Sequence, residues 1–212
     1  MTDLWSERAE AYRNAPEQRE GADLDRIIEW AEGARTALDV ATGGGHVARR
    51  LREAGLEVVS ADPAPGMRAD VICPAEHLPF ADSSFDLVVT RIAPHHFEDI
   101  ALAVAEMARV AREQLIVEDT LFVSEAVEEA ERLRDPTHVG SYSEHEWRAY
   151  LEAAGLTIEA VETYEKRHQL EEWLARTDTS EQDSARVCEL LADQIEGDEY
   201  VDHKLLLRAR KR

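Results

Sequence analysis

The chain has 212 residues, 44% of them apolar, enough for one domain with its own core and too many for a disordered chain. Its 45 acidic and 24 basic side chains give a formal net charge of −21, a field that repels phosphate backbones and anionic lipid, so neither a nucleic acid nor a membrane is expected as partner. Cys73 and Cys188 make neither a disulfide framework nor a metal-ligand spacing, the polar start is no signal peptide, and no apolar run approaches ~18 residues, so a cytoplasmic, metal-free protein is expected.

Residues 3–14 and 23–32 read as helices, with Leu4, Ala11, Leu24, Ile27, Ile28 and Ala31 at helical spacing. TALDVA (36–41) is a short apolar run that ends in Thr42-Gly43-Gly44-Gly45. A helix from His46 to Ala54 follows, closed by Gly55. LEVVSAD (56–62), FDLVVTR (85–91) and QLIVEDT (114–120) are further strand-like runs, with a helical stretch from Phe97 to Arg112 before the last. Helices are expected near 124–134 and 143–154, then a strand at 156–164, helices at 170–176 and 180–195, and a closing strand at 199–209. Short apolar strands alternating with helices predict an α/β fold: a mostly parallel sheet, helices on both faces, and an antiparallel last strand. No linker divides the chain, so residues 1–212 are read as a single domain.

The sharpest motif is the strand ending in Asp39, then the glycine loop, then a helix. Glycines admit a ligand close to the backbone, and a helix N-terminus offers free N–H groups. The next strand ends on Asp62, 19 residues past Gly43. A carboxylate ~20 residues after such a loop is placed to accept both hydroxyls of a ribose. Asp39 beside the loop would repel a pyrophosphate and suits a cationic ligand.

LDVATGGGHVA resembles the first motif of class I S-adenosylmethionine-dependent methyltransferases, and SADPAPGM the second. AEHLPFADSSFDLVVTRIAPHHF is similar to the stretch around their fourth strand, and EMARVAREQLIVEDT to the helix and strand that follow. Through LRDPTHV and EHEWRAYLEAAGLTIEAVE the likeness runs over nearly the whole chain. It points to the type-11 group, which includes ubiquinone/menaquinone-biosynthesis methyltransferase-like enzymes. The resemblance implies a Rossmann-like fold, S-adenosyl-L-methionine as cofactor, S-adenosyl-L-homocysteine as product and a small-molecule methyl acceptor. It also implies that Asp39, Thr42, Gly43 and Gly45 line the methionyl part and that Asp62 holds the ribose. By the same resemblance Met67 packs on the adenine, Ala75 and Glu76 lie at its edge, Thr90 and Arg91 sit under the sulfonium, and Tyr12 closes over the cofactor. Residues 1–33 become a helical cover, and 121–155 a lid over the acceptor.

Two features depart from the family pattern. Only 12 residues separate Asp62 from Pro74, too few for the usual crossover helix. ADVIC (69–73) is therefore either an irregular edge or reaches the sheet by an unusual route. Pro74 also stands where the family carries an acid for the adenine amino group, and it has neither a side-chain acceptor nor an N–H. A smaller departure is the missing Pro-Gly-Gly turn before the fifth strand.

For chemistry, His95 follows the fourth strand, where a histidine could take a proton, or it starts the next helix. Asp119 ends the fifth strand and either faces the acceptor or caps a helix. His138 is a further acceptor candidate; His96 reads as a helix anchor, and Trp5, Trp30 and Trp173 as packing groups. Three readings stay open: an active methyltransferase, a binding module of the same fold without catalysis, and a nucleotide-dependent oxidoreductase. Monomer and homodimer are both compatible. Of the 24 basic residues 21 are arginine and three are lysine, a balance expected of a halophilic source or of a GC-rich genome. The basic tail from Arg208 to Arg212 is expected to pair with the chain's own carboxylates.

Overall fold

The computed structural model describes residues 4–14 and 19–211. Asp3, the side chain of Ala11, and Arg212, all named above, lie outside what is described. The elements are α1 (Leu4–Asn14), α2 (Ala22–Trp30), β1 (Thr36–Val40), α3 (His46–Glu53), β2 (Glu57–Asp62), β3 (Val71–Ile72), β4 (Phe85–Arg91), α4 (Ile100–Val110) and β5 (Ala111–Thr120). Then come α5 (Glu125–Arg134), α6 (Glu144–Ala153), β6 (Leu156–Gln169), α7 (Leu170–Ala175), α8 (Glu181–Leu190), β7 (Ile195–Glu196) and β8 (Glu199–Lys211). One sheet runs in the order β3-β2-β1-β4-β5-β8-β6, with β7 paired to β8. The β3-to-β5 pairs are parallel, and β8 enters antiparallel between β5 and β6. The α/β class and the antiparallel last strand are as the sequence predicts.

Side chains alternate between two cores, because successive residues of a strand point to opposite faces. Leu38, Val88, Leu115, Val117, Leu205 and Leu207 pack one face beneath α4 and α6. Ala37, Leu87, Val89, Ile116 and Leu206 pack the other beneath α2 and α3. With both faces covered, β1 buries Ala37 to Val40 without a polar break, apart from Asp39. A third cluster of Val127, Ala130, Trp173, Val187, Leu191 and Tyr200 joins α5, α7 and α8 to the start of β8.

Several elements differ from the sequence reading. The crossover between β2 and β3 holds only a 3₁₀ turn at Pro65–Met67. It can be that short because β3 pairs with the carboxyl end of β2, Ala61 with Val71 and Asp62 with Ile72, so the chain never travels back along the sheet. Val71 and Ile72 of ADVIC thus form a short parallel edge strand. Without a glycine turn, α4 passes straight into β5 at Ala111, whose φ and ψ of −68° and 135° are already extended. Asp99 starts α4 three residues later than expected, its side chain accepting from Leu102 N at 3.0 Å. The expected helix at 180–195 stops at Leu190, and β6 runs five residues past Tyr164 to Gln169.

The two expected covering segments also divide. In 1–33, α1 lies over the ends of the strands, while α2 belongs to the sheet through Leu24, Ile27 and Trp30. In 121–155, Trp147 and Leu151 bury α6 in the main core, whereas α5 packs in a separate cluster with α7 and α8.

Candidate active site

A cavity of about 990 Å³ lies beyond the carboxyl ends of the parallel strands, where ligands bind in open α/β sheets. Its first end is the glycine loop. Gly45 caps α3 with φ 76°, a left-handed conformation that favours glycine. A Cβ on Gly44 would stand 2.8 Å from the Tyr12 carbonyl and 2.6 Å from His46 Nε2. His46 Nε2 lies 2.9 Å from that carbonyl, which ties α1 to the loop. Asp39 Oδ2 accepts from Thr42 Oγ1 at 2.5 Å and from Ala48 N at 3.0 Å. Asp62 accepts from Gly43 N at 3.0 Å and Ala64 N at 2.9 Å. Burial pushes both acids up, Asp39 to about 6.

The far side of this end is formed by Met67, Pro74, Ala75 and Glu76. Cys73 N donates to Asp62 O at 3.2 Å, so the segment stays fastened to β2 despite the missing helix. Glu76 accepts from Glu98 N at 2.9 Å and Asp99 N at 3.3 Å, which fixes the turn before α4. The Cys73 side chain fills the core, its thiol raised by burial.

The second end centres on histidines. His95 Nδ1 lies 2.5 Å from Asp119 Oδ1, and both groups are buried. Burial pushes His95 down to about 3 and Asp119 up to about 7, so the imidazole is neutral at pH 7. When Asp119 is ionised it accepts from Nδ1–H and Nε2 keeps its lone pair; when it is protonated it donates to Nδ1 instead. His138 lies 3.0 Å from Glu128 Oε2, and His96 Nδ1 lies 3.0 Å from the Thr137 carbonyl. Trp5 of α1 meets His96 edge-on at 4.5 Å. Arg91 lines the floor but is engaged from behind, donating to Asp23 and, at 3.0 Å, to buried Glu118.

Most of the residues expected from sequence meet at this cavity: Tyr12, Asp39, Thr42, Gly43, Asp62, Met67, Ala75, Glu76, Arg91, His95 and His138 all line it. Three do not. Gly45 shapes the loop from outside the wall, Thr90 is fully buried in β4, and Asp119 stands behind His95 rather than toward an acceptor.

Comparison with known proteins fits this geometry. A methyltransferase domain model matches residues 38–116. The uncharacterized methyltransferase YcgJ of Bacillus subtilis is 32% identical over 200 residues, 82% of this chain and 79% of that one. The chain belongs to the class I S-adenosylmethionine-dependent methyltransferases. The YcgJ crystal structure superposes on this methyltransferase with a TM-score of 0.81 at 25% identity, over 90% of this chain and 98% of that one. BH2331 of Bacillus halodurans gives the same score at 27% identity, over 90% and 99%.

Sequence reasoning missed several residues in the wall of the methyltransferase cavity. Trp5 and Trp173, read as packing groups, both line it, and so do Lys166, His168, Arg176, Asp202 and Lys204. For Lys166, His168, Asp202 and Lys204 the signal was present but unused: polar residues at alternate positions of a strand, and two of only three lysines; Arg176, at the end of α7, carried no such signal.

Proposed function

We propose that this methyltransferase binds S-adenosylmethionine at the glycine-loop end of the cavity and methylates a small-molecule acceptor at the histidine end. The observation that carries the reading is one continuous cavity with the Asp62 loop at one end and a carboxylate-backed histidine at the other. The residues fit an adenosyl cofactor. The Gly44 face has no room for a Cβ, and Asp62 is held by two backbone N–H groups with lone pairs to spare for a ribose. Asp39, Asp62, Glu76, Glu98 and Asp99 line this end, a surround that suits a sulfonium and disfavours a pyrophosphate, which also weighs against the oxidoreductase reading. Met67 and Ala75 would pack on the adenine.

When bound, the cofactor supplies an activated methyl group, so the protein's contribution is placement and exclusion of water. Here α1 provides much of the cover, through Trp5 and Tyr12. His95 is placed to take a proton from an acceptor that must lose one, and it needs ionised Asp119 beside it to offset the burial that lowers its basicity. Asp119 is a positioning residue that fixes the tautomer and stabilises the imidazolium as it forms. A carboxylate-backed histidine in the cavity wall supports an active enzyme over an inert binding module.

The test is calorimetry with S-adenosylhomocysteine. Asp62→Ala should lose about 1.5–3 kcal/mol of binding, the usual worth of a hydrogen-bonded carboxylate. Unchanged affinity would remove the ribose site from Asp62.

A further inference from the structure

The two ends of the cavity carry opposite charge. Among the described residues, the cofactor end is lined by the five carboxylates named above, and the one guanidinium that reaches it, Arg91 on the floor, is already engaged by Asp23 and Glu118. Beyond β4 the lining holds Arg134, Lys166, Arg176 and Lys204 beside Glu131, Asp135 and Asp202. In a chain with 45 acids and 24 bases, this is an inversion.

The fold builds it from the overhang of β6 and β8. β5 ends at Thr120, opposite Lys204, while the β6–β8 ribbon continues to the pair of Gln169 and Glu199. Lys166 faces Asp202 across the ribbon, and His168 and Lys204 stand two residues along from them, so all four share one face. Lys204 Nζ donates to Thr120 Oγ1 at 2.6 Å and meets Asp202 Oδ2 at 2.5 Å. Burial, with Arg91 and Lys204 nearby, lowers the Lys166 ammonium. On the other wall the Arg134 guanidinium lies 4.0 Å from the Trp173 ring centroid and 3.1 Å from Glu131.

A second observation points to a ligand. Asp202 is 5% exposed and lines the cavity, yet its Oδ1 has no hydrogen-bond partner. A buried acceptor left unmade is costly, and a donor on a bound molecule would satisfy it.

We infer that the overhang is an acceptor subsite for a small carboxylic acid, its carboxylate held by Lys166 and Lys204 and a neighbouring N–H or O–H donated to Asp202. The inference rests on the acceptor end assigned above. A monoanion is favoured over a phosphate dianion, because Glu131, Asp135 and Asp202 stand in the same wall. The arrangement would also orient the acid so that its other end reaches His95.

The test uses hippurate, salicylate and glycolate, each beside its primary amide, and inorganic phosphate, titrated into protein saturated with S-adenosylhomocysteine. At least one acid should bind ten times or more tighter than its amide. Lys166→Met should weaken that acid about tenfold, as for a lost charge-assisted hydrogen bond, and Lys166→Arg should restore it. Cofactor affinity, measured on each variant, reports that it is folded. If no acid is preferred to its amide, or if Lys166→Met leaves the preference intact, the subsite is overturned. Phosphate binding above all three acids overturns the choice of a carboxylate. Failure of the wild type to bind S-adenosylhomocysteine would instead strike the cofactor reading, so the two failures are read apart.

Discussion

The two ends of the cavity are made of different materials. The cofactor end is built from backbone: N–H groups of Gly43, Ala48 and Ala64 grip two short acids, and glycines keep the loop close. The histidine end is built from long side chains held by one another. Arg91 is clamped by Asp23 and Glu118, Tyr164 donates to Glu118, and Arg8 reaches Asp135 at 3.3 Å. Backbone cradles tolerate change in side-chain charge; a lattice of buried ions fails when one member is removed, because its partner is left stranded.

The sharpest way to break this contrast is Arg91→Met. It leaves Glu118, fully buried, and Asp23 without their cation. The expected loss is about 3–5 kcal/mol of stability, read as a fall in the urea midpoint. A loss below about 1 kcal/mol would mean that the ions at this end are as replaceable as a surface pair.

The matching change at the cofactor end is Asp39→Asn, with an effect of opposite sign. Folding raises Asp39 from 3.8 to about 6, so the folded chain holds this proton longer than the unfolded one. Its contribution to stability is complete below pH ~4 and is lost as the pH climbs through about 6. Asparagine does not titrate. The variant should gain about 1–2 kcal/mol at pH 8 and nothing at pH 4, while binding S-adenosylhomocysteine more weakly. Destabilisation at pH 8 would show that the carboxylate is needed by the loop itself.

Pro74→Asp refines the picture with a smaller effect. The segment remains hydrogen-bonded to Asp62 O, and Pro74 lines the cavity. An acid there should regain one hydrogen bond to adenine, about 1 kcal/mol or roughly fivefold in affinity by calorimetry. Equal or weaker binding would mean that adenine lies away from this edge.

How far each end was legible follows from the same contrast. Asp39, the glycine loop and Asp62 fall within 24 residues of sequence, so spacing alone locates them. Short apolar strands likewise disclose the sheet. The histidine end gathers Arg91, Arg134, Lys166 and Lys204 from four separate elements, and no spacing rule relates them. EKRHQ (165–169) falls between the strand expected at 156–164 and the helix at 170–176; it is strand because β8 pairs with it along its whole length. His95 was visible from its place after β4, but Asp119 changed role. From sequence it ends a strand and could reach an acceptor; only the packing shows it behind the imidazole. The missing crossover helix was also visible, while the short route of β3 depends on pairing at the end of β2, a long-range fact.

The sheet leaves two open edges, and an unpaired edge invites another strand to add to it. At one, β3 is two residues long, with Ile72 61% exposed, so little ladder is offered to a neighbour. At the other, β6 is 14 residues long. It carries Glu159, Glu165, Arg167 and Gln169 outward, and its register slips between Ile158 and Ala160. One edge is guarded by brevity, the other by charge and a bulge. Both oppose the edge-to-edge stacking that turns sheets into aggregates, and the long ribbon that forms one wall of the cavity thereby keeps its outer side from becoming a seed.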